Sequence, residues 1–421
     1  MIYLDHASST PVSEKVLKAM LPYFSEEFFN PSSAYLPAKK VLADYEEAKG
    51  KIAHSIGAKA SDIVITAGAT EANNLAFTSI QSGFVTNDSS TLEPTRPPVF
   101  TGDSFCRRRL DDGEHALELD ESSVSNTVLY LETEHDSVRA IAKRLGGTPI
   151  KVLKNGMIDL KDLKSKITNE TELISVSLVN NEIGVIQPLA EISTIIREIK
   201  IERLKRGIKR QLLLHSDASQ ALNLLDINVS RLGVDLLTLN SAKIYGPKGV
   251  GALYISHDAR LKPLVLGGGQ EKGLRSGTEN VPGVIGFSVA VEEAKKHLNG
   301  NRKKYAKFKK ILLDELQGYK LVNRKNSLDN FLVLCYDGLD AERLIFLLEE
   351  RGVYVSTGAA CAASKGVRSH VLKAIGLTDS EIAGSLRITL GETNTEEQIR
   401  EVAKIINEVV SGERERLLRS V

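Results

Sequence analysis

A chain of 421 residues, 42% hydrophobic and 26% charged, has an ordinary globular composition and enough apolar material for a large core. Its 55 Lys and Arg offset 54 Asp and Glu to a net charge of +1, which gives no whole-chain attraction to nucleic acid or an anionic membrane. No apolar run approaches the ~20 residues of a membrane span, and Cys106, Cys335 and Cys361 form neither a disulfide framework nor a zinc motif.

The opening MIYLDHASSTP lacks the basic and apolar regions of a leader, so a cytoplasmic protein is expected. MIYLDH predicts a short strand, and the Ser/Thr residues and Pro11 after it predict a helix start. FFNPSSAY is a turn, and PAKKVLADYEEAKGKIAHSIGA is a helix that Gly57 stops. IVITAGATEANNLAFTSI is strand, glycine turn and helix. Residues 81–126 break this rhythm, being rich in Ser, Thr, Pro, Asp and Gly. A structureless connection of that length is uncommon in a compact domain, so the segment is read as an insertion.

Beyond it, TVLYL is a strand, ELISVSLV a strand, LAEISTIIREIKIERL a helix, QLLLHSDAS a strand and Val234 to Asn240 a strand. A turn through Gly246, Pro247 and Gly249 leads to another strand, Val250 to Ile255. The alternation predicts an α/β fold, a mostly parallel sheet with helices on its faces. A helix from Pro282 to Leu298 then leads to a smaller α+β layer: KYAKFKKILLDEL helix, FLVLCYD strand, AERLIFLLEERG helix, a loop around Cys361, SHVLKAIGL helix, SLRITLG strand and a last helix. The expected organisation is a large domain over 16–296 and a small one over 297–421, with residues 1–15 packing on the small domain.

Several residues carry chemistry. Lys243 sits just off a strand end. In AGATEANN, residues 67–74, a glycine turn before a helix exposes N–H groups at the positive end of the helix dipole, and Thr70 adds a hydroxyl. Asp217 of HSDASQ ends an apolar strand, where a carboxylate needs a cationic or hydrogen-bonding partner; capping the next helix is the alternative. His135 of ETEHDS stands at a strand–helix junction, suited to stacking on a ring, to proton exchange or to a helix cap. Cys361 lies in STGAACAASKG among small residues, a setting for a nucleophile, whereas Cys335 in FLVLCYD reads as core. Arg387 interrupts an apolar run and needs an anion, either a ligand carboxylate or an internal partner. A lysine, a phosphate seat, an acid for a ring nitrogen, a stacking histidine and a carboxylate-binding arginine are what a pyridoxal-phosphate enzyme needs.

The motifs YLDHASSTPV, NPSS, TAGATEANNLA, TEHDSV, NNEIGVIQPL, HSDASQ, KIYGPKGVGALY, GGGQEKGLRSGTENVPG, STGAAC and SHVLKAIGL…GSLRITLG, in this order, resemble the cysteine desulfurases of the class V, fold-type I aminotransferase superfamily. The resemblance implies a Schiff base between Lys243 and pyridoxal 5'-phosphate, Asp217 on the pyridine nitrogen, Gln220 on the phenolic oxygen and His135 on the ring. It places Ala69, Thr70 and Ser241 at the phosphate, with Thr278 reaching across a homodimer interface. Asn181 and Arg387 would hold the carboxylate of L-cysteine. Lys243 would move the α-proton, and Cys361 would take the sulfur as a persulfide for an acceptor, an iron–sulfur scaffold or a tRNA-thiolating enzyme. His135 is a candidate for handling protons at the thiol. A class V aminotransferase, a selenocysteine lyase and a catalytically weakened sulfur-transfer partner are the alternatives. The chain departs from the family pattern at Ala242, where a histidine normally precedes the lysine, and at Tyr35 and Ala38, which stand for the usual His and Gly.

Overall fold

The computed structural model describes residues 1–80, 127–322, 325–357 and 368–419. The insertion at 81–126, Cys106 and Cys361 lie outside the described residues. In chain order the described strands are β1 (Ile2–Tyr3), β2 (Ile63–Thr66), β3 (Val128–Leu131), β4 (Thr148–Ile150), β5 (Leu173–Ser175), β6 (Leu213–Asp217), β7 (Leu236–Asn240), β8 (Gly251–Ile255), β9 (Lys320–Leu321), β10 (Phe331–Cys335), β11 (Val353–Tyr354) and β12 (Ser385–Thr389).

Seven of them form one sheet in the order β2-β8-β7-β6-β5-β3-β4. Only β8 runs against its neighbours; the other pairings are parallel. Every residue of β2, β3, β5 and β6 is buried. That is why these strands read as continuous apolar runs and not as alternating ones: helices cover both faces of a parallel sheet. One face packs on the helices Ala69–Phe77 and Asp136–Arg144 through Leu75, Phe77, Val138 and Ala142. The other carries the larger core, with Ile52, Ile192 and Phe287 among its members.

The strands β12-β10-β9 form a smaller antiparallel sheet. The chain start is tied to this region: β1 pairs in parallel with β11, and Asp5 bridges to Thr389. Two helices expected around residues 282–298 and in KYAKFKKILLDEL are instead one, Val281–Glu315, of 35 residues. Gly300 falls mid-helix, but a helical glycine costs only about 1 kcal/mol against alanine. Burial on both sides of it, at Val291 and Ala294 and again at Tyr305, Phe308 and Leu312, outweighs that cost. Asn301 adds a 2.7 Å bond from Nδ2 to Glu392 Oε1.

Candidate active site

The carboxyl ends of the parallel strands open on a cavity of about 890 Å³, the usual ligand position in such sheets. Ala69, Thr70, His135, Asn181, Asp217, Gln220, Lys243 and Arg387 all line it. Residues scattered over more than three hundred positions of sequence therefore meet in one place.

Lys243 follows β7 on a short 3-10 turn, Ser241–Lys243, capped by Asn240 Oδ1 accepting from Ala242 N at 3.1 Å. Its Nζ donates to the carbonyl oxygen of Ala7 at 2.8 Å and also to that of Ser8. Gln220 Nε2 donates to the same Ala7 oxygen at 2.9 Å. The chain start thus forms one wall. Thr10 holds it there, with its N–H on Ala242 O at 3.1 Å and its Oγ1 accepting from Tyr245 N at 2.7 Å. Tyr245 has φ 63°, a left-handed conformation worth roughly 1–2 kcal/mol of strain in a bulky residue. Its burial and its bond from Glu392 N at 2.6 Å keep the turn in that shape.

Ser241, expected at the phosphate, does not line the cavity. It is fully buried, and its Oγ sits where a side chain on Gly246 would go, 2.1 Å from an added Cβ. Asn240 lines the cavity in its place. The reason is the period of the turn: residues three apart eclipse on a 3-10 helix, so 240 shares the side of 243 and 241 faces away.

Asp217 ends β6 and is buried. Oδ2 accepts from Asn73 Nδ2 at 2.9 Å and Oδ1 from Ser219 N at 2.9 Å. Asn73 Nδ2 also reaches Ser137 Oγ at 2.9 Å. Ser137 in turn holds His135, its N–H donating to Nδ1 at 3.1 Å with its Oγ 2.9 Å from the same nitrogen. His135 is the N-cap of the helix Asp136–Arg144, the plain structural role its position allowed, and it lines the cavity as well. With Nδ1 accepting, Nε2 is left to carry the ring proton. In this tautomer His135 presents a donor. Asn73 and Ser137 were not foreseen; helical spacing of Asn73 along TEANN was their only trace in the sequence.

At the opposite end, Gly68 precedes the helix Ala69–Phe77 with φ 142°, a conformation open to glycine, and among the described residues no side chain caps that helix. Gly251 of β8 is equally constrained, since a Cβ there would lie 2.8 Å from the backbone of Gly68. The first-turn N–H groups of this helix are thereby aimed at the cavity as an anion seat.

Arg387 on β12 is 3% exposed. Its Nη2 donates to Asp5 Oδ1 at 2.6 Å and Ser8 Oγ at 2.8 Å, and its Nη1 to Asn181 O at 2.9 Å. It thus has an internal carboxylate partner while it borders the cavity. Near it, Glu182 accepts from Ser369 Oγ at 2.5 Å, and burial raises its carboxyl above the usual range. His370, whose Nε2 donates to Glu134 O at 3.0 Å, is pushed down to about 4 by burial and is neutral. Cys335 is buried, with Sγ on Glu381 O at 3.3 Å, and burial pushes its thiol up; it is core, as read. Thr278 is exposed and outside the cavity lining, in a loop that Glu271 anchors to Lys49 at 2.8 Å. Of the departures, Ala242 lines the cavity, Ala38 is fully buried, and Tyr35 is exposed at the start of the helix Leu36–Ser55.

A buried aspartate, a lysine on the turn after the next strand and a helix start open to an anion, grouped at the carboxyl ends of a mostly parallel sheet, define a fold-type I pyridoxal-phosphate enzyme. The lining suits that group: Ser219 Oγ, for one, is buried without a hydrogen-bond partner among the described residues. The chain belongs to the aminotransferase class-V family, which matches residues 2–92 and 116–402. The unmatched stretch between them falls inside the segment read as an insertion. Cysteine desulfurase IscS 1 of Archaeoglobus fulgidus is 36% identical over 416 residues, 97% of each chain. Cysteine desulfurase IscS of Methanosarcina thermophila is 34% identical, over 97% of this chain and 92% of that protein. Among solved structures, a NifS-like protein superposes with a TM-score of 0.81 at 28% identity, covering 97% of this chain and 99% of its own. SspA, solved in complex with cysteine, gives 0.72 at 30% identity over 93% and 99%.

Proposed function

We propose that the chain is a pyridoxal-phosphate-dependent cysteine desulfurase that converts L-cysteine to L-alanine and leaves the sulfur as a persulfide on Cys361. The observation that carries this is the opening of Lys243 Nζ and the Asp217 carboxylate on one cavity with the uncapped helix start at Gly68. When bound, the cofactor supplies an electron sink for the charge left when the substrate's α-proton departs. Lys243 would hold the cofactor covalently, and its Nζ would be the group that moves that proton. Asp217, oriented by Asn73 and Ser219, keeps the ring nitrogen protonated. Ala69, Thr70 and Asn240 take the phosphate, and Gln220 takes the phenolic oxygen. His135, which lines the same cavity, would lie against the ring with Nε2 as a donor. Arg387 and Asn181 bind the substrate carboxylate, Asp5 fixing the guanidinium plane. The Cys361 thiolate attacks the substrate's sulfur, and breakage of the carbon–sulfur bond leaves alanine after reprotonation.

The chain works as a cytoplasmic homodimer that passes sulfur to an iron–sulfur scaffold or a tRNA-thiolating enzyme. Exposed Phe24, Phe28, Leu36 and Leu266 support a covered face, and dimerisation brings Thr278 to the phosphate seat of a second copy. Among the described residues no helix is long and apolar enough to cross a membrane. Ala242 supports weakened cofactor binding: a missing hydrogen bond to a charged group is worth about 1.5–3 kcal/mol, roughly ten- to a hundredfold in affinity. Product analysis tests the reaction. Alanine and sulfane sulfur are expected, with the cofactor recovered as the aldehyde. Accumulation of its pyridoxamine form would assign a transaminase, and release only from selenocysteine would assign a selenocysteine lyase.

A further inference from the structure

Under the cavity floor runs a line of buried polar side chains that the reaction above does not use. Parallel register sets Ser175 of β5 against His215 of β6, and Asp217 against Thr238 of β7. Side chains alternate along a strand, so His215 and Asp217 share a face. His215 Nδ1 lies 2.9 Å from Ser175 Oγ, and His215 Nε2 lies 3.1 Å from Thr238 Oγ1. Ser175 Oγ also lies 3.2 Å from Oε1 of Glu134, which follows β3 and precedes His135. Glu134, Ser175, His215 and Thr238 are all fully buried.

Among the described residues no cation acts on Glu134; Ser175 and Ser177 alone favour its charged form. Its Oε2 has, among the described residues, no hydrogen bond of full geometry, the backbone N–H and hydroxyl of Ser177 being its polar neighbours. The charged group that acts on it most strongly among the described residues is Asp217, itself an anion. His215 on β6 is neutral, as is His370, which touches Glu134 through its backbone oxygen; on its own loop it is flanked by His135 and Asp136. A second carboxylate here would be an ion without a counter-ion beside a like charge, which burial strongly disfavours.

We propose that Glu134 is a positioning residue that works as the neutral acid, so that Asp217 is the one anion beneath the cofactor's ring nitrogen. The hydrogen bonds accommodate this state. The Ser175 hydroxyl donates to Glu134 Oε1, His215 Nδ1–H to Ser175 Oγ and the Thr238 hydroxyl to His215 Nε2, which leaves the acid proton of Glu134 on Oε2 beside Ser177. Burial and Asp217 lift the Glu134 carboxyl to about 8 against the opposing pull of Ser175 and Ser177, and burial lowers His215 to about 4, so that both are neutral. The role assigned to Asp217 rests on the cofactor reading; the protonation of Glu134 does not.

The test compares the full chain with Glu134→Gln, whose amide oxygen keeps an acceptor for Ser175 while its amide nitrogen stays a donor. The folded chain holds a proton that the unfolded chain has lost, so wild type must lose stability relative to Glu134→Gln as pH rises from 4.5 to about 8, with a constant difference above that. In the cofactor-free protein at neutral pH, the infrared difference between the two must show the carbonyl band of a protonated carboxyl. A flat stability difference and no such band would overturn the proposal. In the loaded protein, the visible band of the cofactor must carry an inflection near about 8 that Glu134→Gln lacks. Identical pH titrations of that band would overturn the link to Asp217. Failure to take up the cofactor would instead refute the cofactor reading, with the infrared result still deciding the proton.

Discussion

Lys243→Ala is expected to lose the borohydride-reducible link to pyridoxal phosphate and to lower turnover by at least ~10²–10⁴-fold, the usual worth of one positioned proton-transfer group. Its effect on the fold should be small by comparison. The turn that carries it is held independently, by Asn240 Oδ1 on Ala242 N and by Thr10 on Ala242 and Tyr245. The Ala7 carbonyl keeps a donor in Gln220 Nε2. What is lost is the charged bond to Ala7 and Ser8, worth about 1.5–3 kcal/mol. Lys243→Arg separates the two roles: it restores charge beside those carbonyls without an amine able to form the link. Reduction with borohydride followed by peptide mapping reads the result, and a variant that keeps a reducible link would remove Lys243 from the centre of the site.

Arg387→Ala should damage stability and activity together. Arg387 is almost fully buried and its ion pair with Asp5 spans 2.6 Å, so truncation leaves the Asp5 carboxylate without its cation. Breaking a buried pair in this way costs about 3–5 kcal/mol. The chain start loses its anchor at Ser8 as well. In catalysis, loss of the proposed contact to a substrate carboxylate is expected to cost about 1.5–3 kcal/mol, roughly ten- to a hundredfold in kcat/KM. Arg387→Lys should not rescue either property, because one ammonium cannot serve Asp5, Ser8 and the Asn181 carbonyl from a planar fork. Denaturant unfolding and steady-state kinetics read the two effects. Full stability in Arg387→Ala would show that the pair with Asp5 contributes nothing.

Much of this site was legible because strand ends carry it. Asp217, His135 and Lys243 each follow an apolar run whose end is visible in the sequence, and a parallel sheet gathers such ends at one edge. The glycine turn at Gly68 was legible for the same reason. That Asn240 and not Ser241 lines the cavity was not, because it depends on a 3-10 period over three residues, which composition does not reveal. Nor was the partner of Arg387: the sequence demanded an anion and left its identity open, and Asp5 lies 382 positions away. The reversal of β8 and the unbroken helix Val281–Glu315 were decided by packing on distant elements, not by local preference. Glu134 and His215 passed unnoticed since burial, which makes them unusual, is a property of the folded chain alone.

The central claim is that this cavity removes sulfur from cysteine and hands it to Cys361. Protein loaded with pyridoxal phosphate, incubated with L-cysteine, alkylated and mapped by mass spectrometry tests it directly. One added sulfur on Cys361, absent from Lys243→Ala, is the predicted result; alanine formed while Cys361 stays unmodified, or sulfur found on Cys335 or Cys106 instead, would contradict it.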